Sequence, residues 1–315
     1  MDEQPLSSNA LNGSLAAKGG ERAGWDSRYR EFQRLRARLF GIAYRMLGSR
    51  SDAEDILQEA YLRWHRTAID AVRSPEAWLV TSVTRLCIDR LRAARAERGM
   101  YVGPWLPEPL LTDAASGAEA ELAANLSIAF LVLLERLAPH ERAAFLLREL
   151  FDSDYSEIAQ VLGKSEVACR QIVNRARRRV RADRPRVTVN PTSNRSLLER
   201  FTAAIHAQDK QALLALFAEE SSWTSDGGGK ARAARRIIRG REAVVRFALG
   251  ALGRHASRLR FVALIINAEP ALALLVDGKL RSVITIRTDG AQICDVFGIL
   301  NPDKLRGIQL PAGLP

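Results

Sequence analysis

The segment "YSEIAQVLGKSEVACRQIVNRARRRVR" holds the densest set of side chains able to read a nucleic acid. Glu166, Arg170, Gln171, Asn174, Arg175 and Arg178 are types that bond base edges and phosphates in a major groove. Residues 170–186 carry eight arginines against one aspartate, a net +7. Cys169, Val173, Ala176 and Val180 recur at i, i+4, i+7 and i+11, so they form the buried stripe of a helix and leave the polar six outward. Upstream, Ile158, Ala159 and Leu162 point inward on a shorter helix capped by Ser156. Gly163 supplies a left-handed turn, and Ser165 caps the second helix. This is the pattern of a helix-turn-helix, whose second helix enters the groove. A basic amphipathic helix that touches no DNA is the blander reading.

A second chemistry lies upstream and is acidic. In "SDAEDILQEAYLRW", capped by Ser51 or Asp52, Asp52, Asp55 and Glu59 fall at i, i+3, i+7 on one flank, with Glu54 beside them. Ile56, Ala60 and Trp64 face a core. In a chain of net charge +11 a clustered acidic face is not there for DNA. It is a solvated face or a docking surface for a basic element of a protein partner. The next helix, 77–98, buries Leu79, Val83 and Leu86 and shows Ser82, Arg85, Asp89 and Arg92. Its stretch 85–98 has five arginines against two acids, a net +3. With Trp78 at its start and Tyr101 past its end, it is either merely solvated or able to hold separated bases and phosphates.

Between the two helical regions stands "YVGPWLPEPL". Pro104, Pro107 and Pro109 exclude regular helix and central strand. Trp105, Leu106 and Leu110, with Glu108 among them, are too apolar for a solvated spacer. The strip is a local hydrophobic plug or a docking segment for another surface. Further on, "DGGGK" (Asp226, Gly227, Gly228, Gly229, Lys230) lacks the spacing of a phosphate-binding P-loop and reads as a closely approached loop. "NPDKL" (Asn301, Pro302, Asp303, Lys304, Leu305) follows the last strand as a short tail element. Asp226 and Asp295 are candidate pocket acids, His206 and His255 the C-terminal histidines, and Cys294 a strand cysteine of core or redox type.

These residues need elements to position them. Residues 28–98 and 119–182 read as helical, with a connector at 99–118, a Pro/Asn/Thr linker at 183–194, and a 1–27 tail expected to be disordered. From Arg195 a helix runs to about Glu220; "RLRFVALII", "ALALLV", "RSVITIRT" and "QICDVFGIL" then read as strands. The 315 residues, 47% hydrophobic and 26% charged, suit two or three globular domains. The net charge favours a polyanionic partner. No stretch is apolar enough to span a bilayer, and the first residues lack the pattern of a signal peptide. Three scattered cysteines fit a reducing cytoplasm without zinc or disulfides.

"DAEDILQEAYLRW", "AWLVTSVTRLCIDRLRAARAER" and the helix-turn-helix, in that order, resemble regions 2 and 4 of an extracytoplasmic-function (ECF) sigma factor. With "YVGPWLPEPL", "DGGGK" and "NPDKL", nearly the whole chain resembles the subgroup that carries a fused C-terminal SnoaL-like regulatory domain. The resemblance implies a multi-domain chain: an all-α region 2 at 28–98, an all-α helix-turn-helix region 4 at 119–182, and an α+β SnoaL/NTF2-like cone at 195–315. Asp52, Glu54 and Asp55, with Glu59 on their flank, would bind core RNA polymerase. Trp78, Arg85, Asp89, Arg90 and Arg92 would open and read the −10 element; Arg85 stands where many members carry Asn. Ser165 to Arg178 would read the −35 element of promoter DNA. The cone would grip the connector and region 2, controlling activity in cis. No cofactor, metal or catalysis is expected, although the cone is a fold that encloses pockets for small-molecule ligands. A ligand-sensing helix-turn-helix regulator leaves the first region idle, and a SnoaL-type cyclase or isomerase explains least.

Overall fold

Gly48, at φ +66°, ends the first helix and turns the chain into the second. Helix α1 spans Asn9–Leu47, α2 Arg50–Arg66 and α3 Pro75–Arg98. The computed structural model describes residues 9–68, 72–112, 126–182, 191–253 and 257–310, and the side chains of all of these except 9–26, 95–98, 182 and 191. Helix α1 therefore begins inside the stretch expected to be a tail. The cap of α2 is Ser49, not Ser51 or Asp52: its hydroxyl accepts from the Asp52 N–H at 3.2 Å. Leu39, Ile42, Trp64, Leu79 and Val83 close the core of this three-helix unit.

Helices α4 (Ile128–Leu134), α5 (Pro139–Glu149), α6 (Tyr155–Leu162) and α7 (Glu166–Ala182) follow. Asp154, rather than Ser156, caps α6, because Glu157 three residues on completes a reciprocal capping box with it. Gly163 turns the chain at φ +63°, and Ser165 accepts from the Ala168 N–H at 3.3 Å. Cys169, Val173, Ala176 and Val180 are buried as their spacing requires. Their core is continuous with that of α1–α3, so the two helical regions pack as one body.

The C-terminal part opens with α8 (Pro191–His206), which starts at a proline inside the expected linker, and α9 (Lys210–Leu216). The single helix expected to reach Glu220 breaks at Gln208, φ +52°, and Asp209 caps α9. Strand β1 (Phe217–Asp226) begins where helix was expected. Its inward positions include Ser221, Thr224, Ser225 and Asp226, which carry no hydrophobic alternation. There follow β2 (Ile238–Arg239), α10 (Arg241–Leu252), β3 (Leu259–Ile266), β4 (Glu269–Val276), β5 (Lys279–Thr288), β6 (Ile293–Ile299) and α11 (Pro302–Leu305).

The sheet order is β2-β1-β6-β5-β4-β3, antiparallel except for β1 beside β6. One face holds Phe201, Phe217, Trp223 and Val244 under the helices. The other face is closed by Leu106 of the connector, Ile128 of α4, and Leu305 and Ile308 of the tail. This is the expected α+β cone, and its second face is covered partly by its own tail and partly by chain from outside the domain, Leu106 and Ile128.

Candidate functional site

The connector lies between region 2 and the cone, and both ends of "WLPEPL" are held. Asp226 at the end of β1 is fully buried and accepts from the Leu106 N–H at 2.8 Å and the Tyr101 hydroxyl at 2.6 Å. Lys304 of α11 pairs with the same carboxylate at 2.7 Å and donates to the Leu106 carbonyl. Its ammonium lies 4.1 Å from the Trp105 ring centroid, a cation–π contact. Burial, then the bond to Asp226, push the Tyr101 hydroxyl above its ordinary range, so it stays a donor. Three donors around one buried carboxylate neutralise it locally.

Glycine is required at the crossing. Gly228 sits at φ +56°, and a Cβ there would lie 2.3 Å from the Asn301 side chain, which itself donates to the Tyr101 hydroxyl at 2.9 Å. Thus "DGGGK", "NPDKL" and the connector, separate in sequence, form one node.

On the region 2 side, Glu108 reaches the N-terminus of α2. Its carboxylate accepts from the Arg50 N–H at 2.8 Å, and its own N–H donates to the Gly48 carbonyl at 2.8 Å. A carboxylate at a helix N-terminus is favourable. The Trp105 ring covers Gly48, where an added Cβ would meet it at 2.7 Å. The Tyr44 hydroxyl donates to the Glu108 carbonyl at 2.5 Å and receives a bond from Asn267 at 2.8 Å.

Asn267 was not singled out from the sequence. It lies in the two-residue β3–β4 turn, where it and Ala268 both have positive φ. Its buried side chain joins Tyr44 of α1, the Leu110 N–H at 2.9 Å and the Leu126 carbonyl at 2.9 Å. The only available signal was an Asn at a turn, which usually means local geometry.

Region 4 is fastened to region 2. Arg85 donates to the carbonyls of Val161 at 3.0 Å and Gln160 at 2.6 Å, at the C-terminal end of α6. Arg90 pairs with Asp52 at 3.0 Å; Arg92 bonds Asp89 at 3.1 Å and touches His140 at 3.3 Å. Buried Arg142 bonds the Met46 carbonyl at 2.6 Å and Glu135 at 2.8 Å, a second link missed in the sequence. Trp78 packs on Trp64, ring centroids 5.4 Å apart. Of the acidic flank, Glu54 meets Arg36 at 2.5 Å and Glu59 meets Arg63 at 2.8 Å, while Asp55 is exposed.

The outward face of α7 is exposed throughout: Ser165, Glu166, Arg170, Gln171, Asn174, Arg175 and Arg178. Arg170 pairs with Glu166 at 3.1 Å and sits 5.0 Å from the Tyr155 ring centroid, with Arg148 also against that ring at 5.1 Å. Arg175 leans toward Glu141 at 3.9 Å. The two candidate acids of the cone are committed elsewhere, Asp226 to the connector and Asp295 to Arg287 and Ser222. His206 stands edge-on to Phe261, ring centroids 5.5 Å apart, and half-buried Cys294 is held as a thiol by burial. His255 lies outside the described residues. No cluster of metal-ligating side chains occurs among the described residues, and none of their helices is long and apolar enough to cross a membrane.

Residues 32–97 match the Sigma-70 region 2 family, and residues 127–180 match the Sigma-70, region 4 family. The ECF RNA polymerase sigma factor SigJ of Mycobacterium tuberculosis is 40% identical over 295 residues, 89% of this chain and 94% of that protein. The chain belongs to the ECF sigma factor family. This sigma factor also superposes on the crystal structure of Mycobacterium tuberculosis SigJ with a TM-score of 0.73, at 35% identity, covering 90% of this chain and 100% of that one. The probable ECF sigma factor SigI of the same organism is 29% identical over 88% of this chain and 94% of its own length. An ECF sigma factor directs transcription initiation as an alternative sigma subunit, so the ligand-sensing regulator and cyclase readings fall away as descriptions of the whole protein.

Proposed function

We propose that this ECF sigma factor is held by its own cone in a closed state that opens on polymerase and promoter. The observation that carries this is the connector gripped from both sides, by Asp226 and Lys304 of the cone at Leu106 and by the α2 N-terminus at Glu108. Reading a −10 and a −35 element together requires regions 2 and 4 to stand about two turns of DNA apart. The continuous core and the Arg85 bonds oppose that separation. In this reading Asp52, Glu54, Asp55 and Glu59 dock on core RNA polymerase. Trp78, Arg85, Asp89, Arg90 and Arg92 serve the −10 element once region 4 leaves. Ser165, Glu166, Arg170, Gln171, Asn174, Arg175 and Arg178 serve the −35 element.

The test is transcription in vitro with full-length chain, 1–300 and 1–194 at equal concentrations. A closed state favoured by about 1.4 kcal/mol leaves roughly a tenth of molecules open, so loss of Asn301–Leu305 raises activity several-fold. Equal activity from full-length chain and 1–300 removes the closed-state reading. Removing the whole cone gives a different outcome from 1–300, because it also strips Asp226 and Asn267 from the connector.

An open cavity of about 990 Å³ between α8 and β3–β4 is lined by Leu198, Thr202, Phe261 and Leu272, together with Leu111 of the connector and Leu310 of the tail. A small apolar ligand there would bear on the grip directly. Thermal melting with and without fatty acids or aromatic carboxylates tests this, and no shift with either class removes it.

A further inference from the structure

Residues 227–246, running from the "DGGGK" loop into α10, contain seven Lys or Arg residues and one acid, Glu242. Helix α7 has a comparable density of cations and a reason for it, since it is the reader of the helix-turn-helix. The cone has no such reason. Fold stability does not supply one, because Arg232, Arg235, Arg236 and Arg239 are exposed and have no ion-pair or hydrogen-bond partner among the described residues. Of the acids nearby, Asp303 is matched by Lys230 and Arg306, and Glu219 by Arg241. Four like charges on one short segment repel each other, and no ion pair among the described residues relieves it. The usual resolution of such a surface is a polyanion.

The segment also has a floor and a neighbour. Beside it runs an open groove of about 660 Å³ in which Arg232, Arg281 and Arg306 stand around Leu280, Leu305 and Ile308. On its other side the loop packs on the first residues of the connector. A Cβ on Gly103 would lie 3.7 Å from the Arg235 Cα, and one on Gly229 would lie 3.3 Å from Val102. Gly103 follows Arg98, the last residue of α3, by five positions. The charge is arginine rather than lysine at every unpaired position, which suits fork-like bonding to phosphate oxygens.

We propose that Arg232, Arg235, Arg236 and Arg239 form a DNA-backbone contact of the cone, beyond the helix-turn-helix and region 2 contacts of any sigma factor. The cone then adds sequence-independent affinity for duplex DNA while it grips the connector. Phosphate contacts of this kind release condensed counterions, so their number is read from the salt dependence of binding, about 0.9 in slope of log K against log salt per phosphate.

The probe is a labelled 30-base-pair duplex of arbitrary sequence, titrated by fluorescence anisotropy with the full chain from 50 to 200 mM KCl. The variant Arg232→Gln/Arg235→Gln/Arg236→Gln/Arg239→Gln should bind more than tenfold more weakly at 50 mM, with a slope shallower by about 3. The pair Arg235→Gln/Arg236→Gln should lose about half of that slope, which keeps the reading in hand if the quadruple variant folds poorly. Replacing the same four by Lys should restore most of the slope, because charge rather than fork geometry sets it. A slope unchanged in both Gln variants overturns the proposal. An unchanged slope with weaker capture of core polymerase also overturns it, by assigning the surface to an acidic protein face.

Discussion

Asp226→Asn changes one atom at the centre of the node and tests whether the charge there matters. The substitution keeps the shape and one acceptor for the Tyr101 hydroxyl, but it removes the counter-charge of Lys304, whose ammonium is 2.7 Å away and nearly buried. It also turns an NH₂ toward both the Leu106 N–H and the Lys304 ammonium, which share the Oδ2 atom, leaving both donors without that acceptor. Breaking a buried pair by removing one partner costs about 3 to 5 kcal/mol. Lys304 can swing part of the way to solvent, which places the expected loss near 3 kcal/mol, a large share of the ~5–15 kcal/mol of a domain.

Lys304→Met alone strands the carboxylate and should be comparably harmful. The double variant removes both charges and should recover about 2 kcal/mol of the summed losses, as neighbouring groups in one network do. Urea denaturation of the four chains of this cycle measures the stabilities. Chymotrypsin cleavage of the connector after Tyr101 and Trp105, read in parallel, shows whether the loss falls on the grip. A loss below 1 kcal/mol for Asp226→Asn, or strict additivity in the cycle, would refute the view that this pair holds the connector.

Burial raises the Glu269 carboxyl from 4.5 to about 7. The folded chain therefore holds that proton where the unfolded chain has released it, so the group loses stability as pH rises through 4.5 to 7, at about 1.4 kcal/mol per unit. Glu269→Gln should remove this fall and raise the melting temperature at pH 8; parallel Tm–pH curves for the two chains would contradict it. Asp52→Arg with Asp55→Arg should abolish co-purification with core polymerase while the circular dichroism spectrum is kept, and undiminished capture would remove that assignment. Arg170→Ala and Arg175→Ala should each weaken promoter binding. If one of them reads a guanine, it should cost about 1 to 3 kcal/mol and relax specificity at that position. Gel shifts on promoter and scrambled duplexes at two salt concentrations check both, and no effect from either would mean that α7 is not the reader.

The helix-turn-helix was legible in the sequence because everything that makes it is local. A stripe at helical spacing, a glycine for the left-handed turn and an oxygen at each helix start lie within thirty residues, and each acts on its own neighbours. Even there the cap of α6 moved to Asp154, since a capping box outranks a lone serine. Strands β3 to β6 were legible for the same reason, through apolar runs closed by turns. Strand β1 was not: its Ser, Thr and Asp side chains are buried by what the connector and β6 bring to it, and no period records that. The motifs "YVGPWLPEPL", "DGGGK" and "NPDKL" could be marked one by one, but their meeting point could not. Asp226 becomes a counter-ion only when Lys304, 78 positions away, folds over Trp105, and Asn267 becomes a hub only when Tyr44, 223 positions away, reaches it. Arg85 shows the same limit, being a helix-face cation by sequence and a strap across α6 by structure. A side chain's type states which bonds it can make; which of them it makes depends on the burial and partners that arrive only when distant segments pack.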